Sequence, residues 1–298
     1  MKLGLKALLE KHRKVTKKNL GKLIYTLFLM SIIESFMSLM LLGPILRTSA
    51  GDTASYALFA VGTLFFFLLQ FGFASMLLRM TRNEFVTLGF LFYGFTRPKI
   101  SLGPAAAFTI MAFIVIFISR FLFAFIFPEL LEVAAKSPVE ILNITEKAQS
   151  AEALAGNTEL VMQSKALVYP SLIFLAAFTF LALIPFAFTF QFKLDNQKKS
   201  VFWAMKKSLS TVFTDFNYIK TIALAFLASW KRILLAIPIS ALMFISIISG
   251  GTLITIVFHF FFLLNFYTAL IQIMMSVPIV YQDATQATEK GLLIDVKI

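Results

Sequence analysis

Two ionisable side chains of opposite sign lie inside long apolar stretches of this sequence. Glu34 lies near the middle of Leu23–Leu46, and Arg120 lies in the second half of Pro104–Phe127. A charge in an apolar layer is unfavourable by at least about 2.5–3.5 kcal/mol, so such residues usually pair or line a polar path. We hypothesise that Glu34 and Arg120 form an ion pair, which either fixes helix register or lines a cavity.

Three more polar side chains follow one another in the last apolar stretch. They are His259, Asn265 and Gln272. Asn265 and Gln272 are seven positions apart and therefore share a helical face. A lone histidine among phenylalanines is more typical of hydrogen-bonded packing than of a ligand or a proton carrier. Around Glu34, the small residues Ser31, Ser35 and Ser38 favour close approach of another helix, with a solvated conduit as the alternative.

The sequence lacks the residue patterns of common catalytic and metal centres. His12 and His259 are its only histidines, so an H-E-x-x-H zinc site cannot form, and it has no cysteine. It also lacks a P-loop, a Gly-rich dinucleotide turn and a G-x-S-x-G nucleophile elbow. We therefore expect a protein that is not an enzyme and that needs no cofactor and no metal. An enzyme acting on lipids through scattered Asp, Lys and Asn is the remaining alternative in this class.

The composition is that of a protein that exposes apolar surface to lipid. Hydrophobic residues make up 59% of the 298 positions, with 36 Phe, whereas soluble chains contain roughly 45–50%. A membrane-spanning helix needs about 20 mainly apolar residues, and the runs do not alternate as barrel strands do. The runs are Leu23–Leu46, Tyr56–Leu78, Pro104–Phe127, Val168–Phe190, Ile233–Ile248 and Leu253–Val280. We expect an all-α polytopic membrane protein, a single membrane domain over 1–298 with about six transmembrane helices.

The basic residues fall mainly on alternate sides of these runs. Most of the 27 Lys and Arg lie in residues 1–22, 79–99, 193–232 and the C-terminal tail, whereas the other connections carry Arg47, Lys136, Lys147 and Lys165. Basic loops are retained in the cytoplasm, which predicts that both termini are cytoplasmic. The net charge of +12 therefore describes a membrane face, and we expect no nucleic-acid partner, since the aromatic residues lie in the spans.

Two basic connections also have amphipathic helical patterns. Residues 1–22 form one, and residues 193–232 contain the other, with apolar residues spaced on one face at Val201, Met205, Leu209, Val212, Phe213 and Phe216. Such a helix can lie in the membrane surface, with Lys198, Lys199, Lys206 and Lys207 meeting anionic headgroups. The alternative is a solvated connection. Residues 128–166 differ, because they form an acidic insertion that we place outside the cell.

The segment Tyr218–Trp230 allows two interpretations. It is apolar but only about 20 Å long as a helix, and Lys231 and Arg232 follow it directly. It either lies in the cytoplasmic leaflet ahead of a span that begins near Ile233, or it belongs to one long tilted helix. Because the second alternative carries two charges toward the bilayer interior, we favour the interfacial segment.

A first block, Arg79–Glu84 with Leu91–Phe95, is similar to an "RGE…LFxGF" connection, and a second, Ile184-Pro185 followed by Leu194–Gln197 and Ala204–Ser208, is similar to an "iPG…D-N-P…A-x-x-x-S" stretch. In these blocks the chain resembles the bacterial DUF975 family of multi-spanning membrane proteins. A third block, Leu224–Trp230, resembles "L-x-F-x-x-W", and Tyr267 stands where a late "F-Y" would. The chain departs from the family at Phe186, at Gln197 and in the acidic insertion. The resemblance implies a multi-pass protein of the bacterial plasma membrane, and the family has no assigned activity.

Two functional hypotheses follow. In the first, the chain is an accessory or scaffold component of a membrane complex, with a membrane protein such as a transport ATPase as its partner and with lipids at its basic face. In the second, it is a transporter or channel that moves a small solute or lipid past Glu34, Arg120, His259 and Asn265. A water-accessible cavity lined by those residues would favour transport, whereas a dry, Phe-packed interior would favour the accessory role.

Overall fold

The structure is a computed structural model that describes residues 3–47, 53–126, 184–248 and 252–295. Within these ranges the chain is helical or forms short turns, with no strand, so the all-α prediction is confirmed for them. The α-helices are α1 (Leu5–Arg47), α2 (Thr53–Thr81), α3 (Tyr93–Thr96), α4 (Pro98–Ile126), α5 (Thr189–Asp195), α6 (Val201–Phe213), α7 (Asn217–Ile248) and α8 (Thr252–Asp295). Short 3-10 helices occupy Leu88–Phe92, Ile184–Phe186 and Thr214–Phe216.

Within the described ranges, four helical stretches are long and apolar enough to cross a membrane, and they indicate a membrane protein. They are Ala60–Thr81, Pro98–Val115, Asn217–Leu242 and Ile256–Thr285. They coincide with the second, third, fifth and sixth predicted spans. The first predicted span lies within α1, where the side chains beyond Phe36 are not described. The acidic insertion 128–166 and most of the fourth predicted span lie outside the described residues.

The chain divides into two compact units. Unit 1 contains Met1–Ile33, Leu68–Pro104 and Pro185–Ile298, and unit 2 contains Glu34–Phe67 and Ala105–Ile184. The core of unit 1 is rich in large apolar side chains that are fully buried, among them Leu8, Leu69, Phe71, Phe73, Met76, Leu91, Phe188 and Ile271. Within unit 2, the rings of Phe67 and Phe108 lie 5.4 Å apart.

In unit 1 the first helix packs against the last one. The backbone amide of Leu3 donates to Oδ1 of Asp283 over 2.9 Å, and the hydroxyl of Tyr267 donates to Oγ of Ser31 over 2.9 Å. Residue numbers therefore increase along α1 in the direction in which they decrease along α8, so the two helices are antiparallel. Leu8 is fully buried in this arrangement. The apolar face predicted for residues 1–22 is thus covered partly by protein, because α1 continues unbroken from Leu5 into the first apolar stretch.

A reversal of the chain follows the end of α2. Asn83 adopts a left-handed conformation, with φ of 58°. Its amide donates to the carbonyl of Met80, and the amide of Glu84 donates to the carbonyl of Arg79. This pair of hydrogen bonds is a Schellman motif, in which the residue after the helix usually must tolerate positive φ. The motif places Arg79, Arg82 and Glu84 together at the end of α2.

Two glycines let backbones approach closely in unit 1. A Cβ atom on Gly72 of α2 would overlap the carbonyl oxygen of Leu91, and one on Gly94 would overlap the carbonyl oxygen of Leu68. The connection after α2 therefore folds back directly onto the helix that precedes it. Ser101 at the start of α4 donates its hydroxyl to the carbonyl of Gly94. These contacts fix the segment Leu88–Thr96 against α2.

The structure corrects our expectation for Tyr218–Trp230. We expected an interfacial segment separate from a span beginning near Ile233, but α7 is one helix from Asn217 to Ile248 without a break at Lys231. An interruption would have left backbone groups unpaired, whereas continuation keeps each one bonded. Lys231 stays exposed, with its ammonium 5.7 Å from the centre of the Trp230 ring.

Candidate functional site

A charged cluster joins three segments of unit 1 that are distant in sequence. Nη2 of Arg82, just after α2, donates to Oδ2 of Asp195 at the end of α5 over 2.6 Å. The hydroxyl of Tyr281 in α8 donates to the same oxygen over 2.8 Å. We call Arg82, Asp195 and Tyr281 the hub. A carboxylate that accepts two hydrogen bonds, one from a cation, holds its donors more firmly than neutral groups would.

On the side of α2, two further charged residues, Arg79 and Glu84, lie beside the hub. The hydrogen bond to Asp195 is the main reason that the pKa of Arg82 is raised, and the nearby Glu84 contributes in the same direction. Nη1 of Arg79 lies 3.0 Å from Oε2 of Glu84, and both side chains are roughly two-fifths exposed. The guanidinium of Arg79 also stacks over Phe90, 4.4 Å from its centroid. Arg82 thus remains charged at any pH that the fold survives.

On its other side the hub is anchored in aromatic packing. Tyr281 is 1% exposed, and its ring meets that of Phe192 edge-on at 4.9 Å and that of Phe188 at 5.8 Å. Only the hydroxyl therefore reaches a polar partner, while the ring is part of the apolar core. Tyrosine suits this position, because its ring can be buried when its hydroxyl has a hydrogen-bond partner.

The turn between α5 and α6 is held by a buried lysine. Lys193 is 6% exposed, and its Nζ donates to the carbonyl of Gln197 over 2.8 Å and to that of Lys199 over 2.6 Å. Burial lowers the pKa of Lys193. Ser200 then starts α6 as its N-cap, because its hydroxyl accepts from the amide of Trp203 over 3.1 Å.

The structure corrects one position on the face of α6 that we expected to meet lipid. Of the apolar positions predicted for that face, Val212 is 2% exposed and is part of the protein core. The buried face is made of Ala204, Ser208 and Val212. Ser208 fixes it, because its hydroxyl donates to the carbonyl of Pro185 over 3.1 Å and accepts from the amide of Phe188 over 3.0 Å. The physical reason is that small residues allow close packing, which a face of large side chains would prevent.

The exposed side of α6 carries both aromatic and basic residues. Phe202, Leu209 and Phe213 are exposed, and so are the predicted membrane-surface residues Lys198, Lys199, Lys206 and Lys207. Of the other positions on the predicted face, Val201 and Met205 are half-buried and Phe216 is exposed. The basic residues of the prediction are therefore at the surface, whereas Val212 of the predicted apolar face is buried.

A polar seam lies between α1 and α8. His12 is 1% exposed, and its Nε2 lies 2.8 Å from the carbonyl oxygen of Gln272. Since a carbonyl can only accept, Nε2 carries the hydrogen. Burial lowers the pKa of His12, and the charge of Arg13 adds to this effect. Nζ of Lys11 donates to Oε1 of Gln282 over 2.8 Å.

The proposed pair of Glu34 and Arg120 stays a prediction. Both positions belong to unit 2, and the side chain of Arg120 lies outside the described residues. Oε1 of Glu34 is buried, and among the described residues it has no hydrogen-bond partner. A carboxyl oxygen in this position is costly unless a partner satisfies it.

The polar residues of α8 take part in helix packing. Nδ2 of Asn265 donates to the carbonyl of Arg232 in α7 over 2.8 Å. His259 is exposed. The backbone carbonyl of Gln272 accepts from His12, while its side-chain Oε1 is buried with no hydrogen-bond partner among the described residues. The contacts of Asn265 and Gln272 thus link α8 to α7 and to α1, and they do not gather with His259 at one site.

Sequence reasoning did not identify Tyr281, Lys193 or His12 as contact residues. Arg82 and Asp195 lie in two of the blocks that carry the family resemblance, but nothing in their local sequence shows that they meet. In the described residues, no three His, Cys, Asp or Glu side chains are placed to hold a metal ion. No family model, curated protein or solved structure matches this chain.

Proposed function

We propose that this chain is a non-enzymatic integral membrane protein that serves as an accessory or scaffold component of a membrane complex. In this proposal it lies in the bacterial plasma membrane with about six spans and both termini in the cytoplasm, as the distribution of basic residues predicts. We also propose that the chain is related to the DUF975 family, which it resembles. The partner is a membrane protein such as a transport ATPase, because the chain has no nucleotide-binding motif of its own.

The observation that carries the proposal is the use of polar side chains in unit 1 for internal structure. Arg82, Asp195 and Tyr281 satisfy one another, and Asn265 satisfies a carbonyl of α7. Around them the core consists of tightly packed aromatic and aliphatic side chains. A rigid core of this kind suits a surface that docks a partner better than it suits a path that must open and close.

Isolation of the intact complex tests the proposal. The full chain is purified from native membranes in a mild detergent after cross-linking, and the proteins that accompany it are identified. We expect one protein to be retained in fixed proportion by the wild type. It should be lost in an Asp195→Asn variant, in which the hub is weakened, and kept in a Ser210→Ala variant, in which an exposed hydroxyl is removed. Purification of the chain alone, from both wild-type and Ser210→Ala cells, would contradict the accessory role.

A transporter or channel for a small solute or lipid is the second candidate. It is favoured by Glu34, whose buried Oε1 has no hydrogen-bond partner in the part of the chain that the structure describes, since an ionisable group within an apolar span is often functional. The test is flux through vesicles that contain the purified chain. Solute or lipid movement that is abolished by Glu34→Gln, in a variant that keeps its thermal stability, would favour this second function.

A further inference from the structure

We infer that α6 lies in the surface of an anionic membrane leaflet and inserts one stripe of apolar side chains among the lipids. The stripe consists of Phe202, Leu209 and Phe213, which are 82%, 41% and 62% exposed. This inference rests on the membrane-embedded architecture of the proposed function and adds which face of the helix meets lipid. Leu209 and Phe213 belong to the face that hydrophobic periodicity predicts, whereas Phe202 does not, and Val212 of the predicted face is buried.

The spacing of the three residues places them on one line along the helix. At about 100° per residue, positions 202, 209 and 213 fall within about 40° of one another around the axis. The ring of Phe213 also contacts that of Tyr218, with centroids 6.3 Å apart, yet most of it stays exposed. Apolar side chains aligned in this way form a continuous ridge, which is the feature an interfacial helix buries in the acyl boundary.

The opposite side of α6 prevents the ridge from turning inward. Ala204, Ser208 and Val212 are packed in the core of unit 1, and Ser208 is bonded to the backbone of both Pro185 and Phe188. A Cβ atom on Gly103 of α4 would press on Val201, so α4 also approaches this helix closely. The ridge is therefore held outward by the packing beneath it.

The charges near the ridge identify the surface that covers it. Four exposed lysines, Lys198, Lys199, Lys206 and Lys207, accompany it, and no acidic residue occurs between Asn196 and Thr214. Each basic residue beside an anionic leaflet strengthens attachment roughly fivefold. The helix has 13 residues and is about 20 Å long, too short to cross a hydrocarbon layer of about 30 Å. The apolar ridge, the four lysines and the length of the helix together fit binding to an anionic phospholipid surface.

The absence of cysteine from the chain allows a direct test with single nitroxide labels. The full chain is reconstituted into vesicles of phosphatidylcholine with phosphatidylglycerol, with labels at Leu209→Cys or Phe213→Cys. Ser210→Cys is the matched control, because it is exposed and lies about 100° around the helix from Leu209. We expect the labels at 209 and 213 to collide several-fold more with oxygen than with a water-soluble nickel chelate. At 210 the preference should be reversed.

A label in a candidate span distinguishes failure of this inference from failure of the proposed membrane architecture. Ile110→Cys lies in the candidate span Pro98–Val115 and is 60% exposed. A lipid signal at 110 together with a water signal at 209 and 213 would overturn the inference and leave the membrane architecture intact. A water signal at all three positions would overturn the proposed membrane architecture as well.

The role of charge is tested by replacing the four lysines with glutamine. For the wild type, we expect the label at 213 to lie deeper in vesicles that contain phosphatidylglycerol than in vesicles of phosphatidylcholine alone. The fourfold variant should lose this difference while its label at 110 is unchanged. Equal depth of the wild-type label in both kinds of vesicle would show that the leaflet need not be anionic, and would overturn that part of the inference.

Discussion

Arg82 and Tyr281 donate to the same oxygen atom, Oδ2 of Asp195. Through this atom, the end of α2, the end of α5 and the middle of α8 are held together although they are far apart in sequence. The two donors differ in setting, because the Arg82 side chain is 36% exposed whereas Tyr281 is buried. Their contributions to stability should therefore differ, and each can be measured separately.

Removal of the tyrosine hydroxyl should cost more than removal of the arginine charge. We expect Tyr281→Phe to lower the free energy of unfolding of the detergent-solubilised protein by about 1.5–3 kcal/mol, because it removes the hydrogen bond from a buried tyrosine to a carboxylate. Arg82→Gln should lower it by about 1 kcal/mol or less, since a partly exposed ion pair is screened by solvent. A double-mutant cycle with both changes measures their coupling. Additive effects would show that they do not act through one carboxylate.

The turn after α2 should depend on the backbone conformation of Asn83. Because φ is positive there, Asn83→Gly should be neutral or stabilising by up to about 1 kcal/mol, and Asn83→Val should be destabilising by about 1–2 kcal/mol. Asn83 is exposed, so neither change removes core packing. Thermal unfolding of the two variants checks the prediction. Equal stability of Gly and Val at this position would contradict the left-handed turn.

A methyl group added at Gly72 should push the backbone of α2 away from the backbone at Leu91. Its Cβ would overlap the carbonyl oxygen of Leu91, and backbone atoms cannot move aside as a flexible side chain can. We expect Gly72→Ala to destabilise the protein by about 1–3 kcal/mol or more, as overpacking does. Gly89→Ala is the matched control, because its nearest neighbour would be the hydroxyl of Thr87 at an ordinary 3.6 Å. Similar stability of the two variants would disprove the close approach.

The packing of α1 on α8 should weaken in acid. Burial lowers the folded-state pKa of His12, so the unfolded chain binds a proton at a higher pH than the folded one does. The stability linked to His12 is therefore fully present above its ordinary pKa of about 6.5 and decreases as pH falls below that value toward the lowered folded-state pKa. His12→Gln keeps a hydrogen-bond donor and removes the titration. Melting temperatures of wild type and variant should diverge with acidification, and parallel curves would argue against the effect.

Hydropathy predicted the apolar parts of α2 and α4 well, but it predicted helix ends poorly and gave only the second half of α7, Ile233–Ile248. The run Tyr56–Leu78 lies inside α2, which ends at Thr81, and Pro104–Phe127 corresponds to α4, which begins at Pro98. The difference between a predicted run and the observed helix is largest where polar residues extend the helix, as in residues 5–22 of α1. There, tertiary packing of residues such as His12 and Leu8 against α8 compensates for low hydropathy, and no local pattern reports it.

The hub shows why contacts at the candidate site were harder to predict than helices. Asp195 and Tyr281 are 86 positions apart, and neither stands in a pattern that chemistry alone would single out. Periodicity indicates that a face is apolar, as on α6, but it does not say whether protein or lipid covers that face. Small residues such as Ala204 and Ser208 pack closely, and Val212 is buried with them, whereas Phe202, which we did not predict on the lipid face, is exposed.

The pairing of α1 with α8 has a consequence for biogenesis. The contact between His12 and Gln272 joins residues 260 positions apart, and a ribosome that adds about 5–20 residues per second needs on the order of tens of seconds to make the intervening chain. During translation the nascent α1 therefore has its inner surface uncovered until α8 emerges.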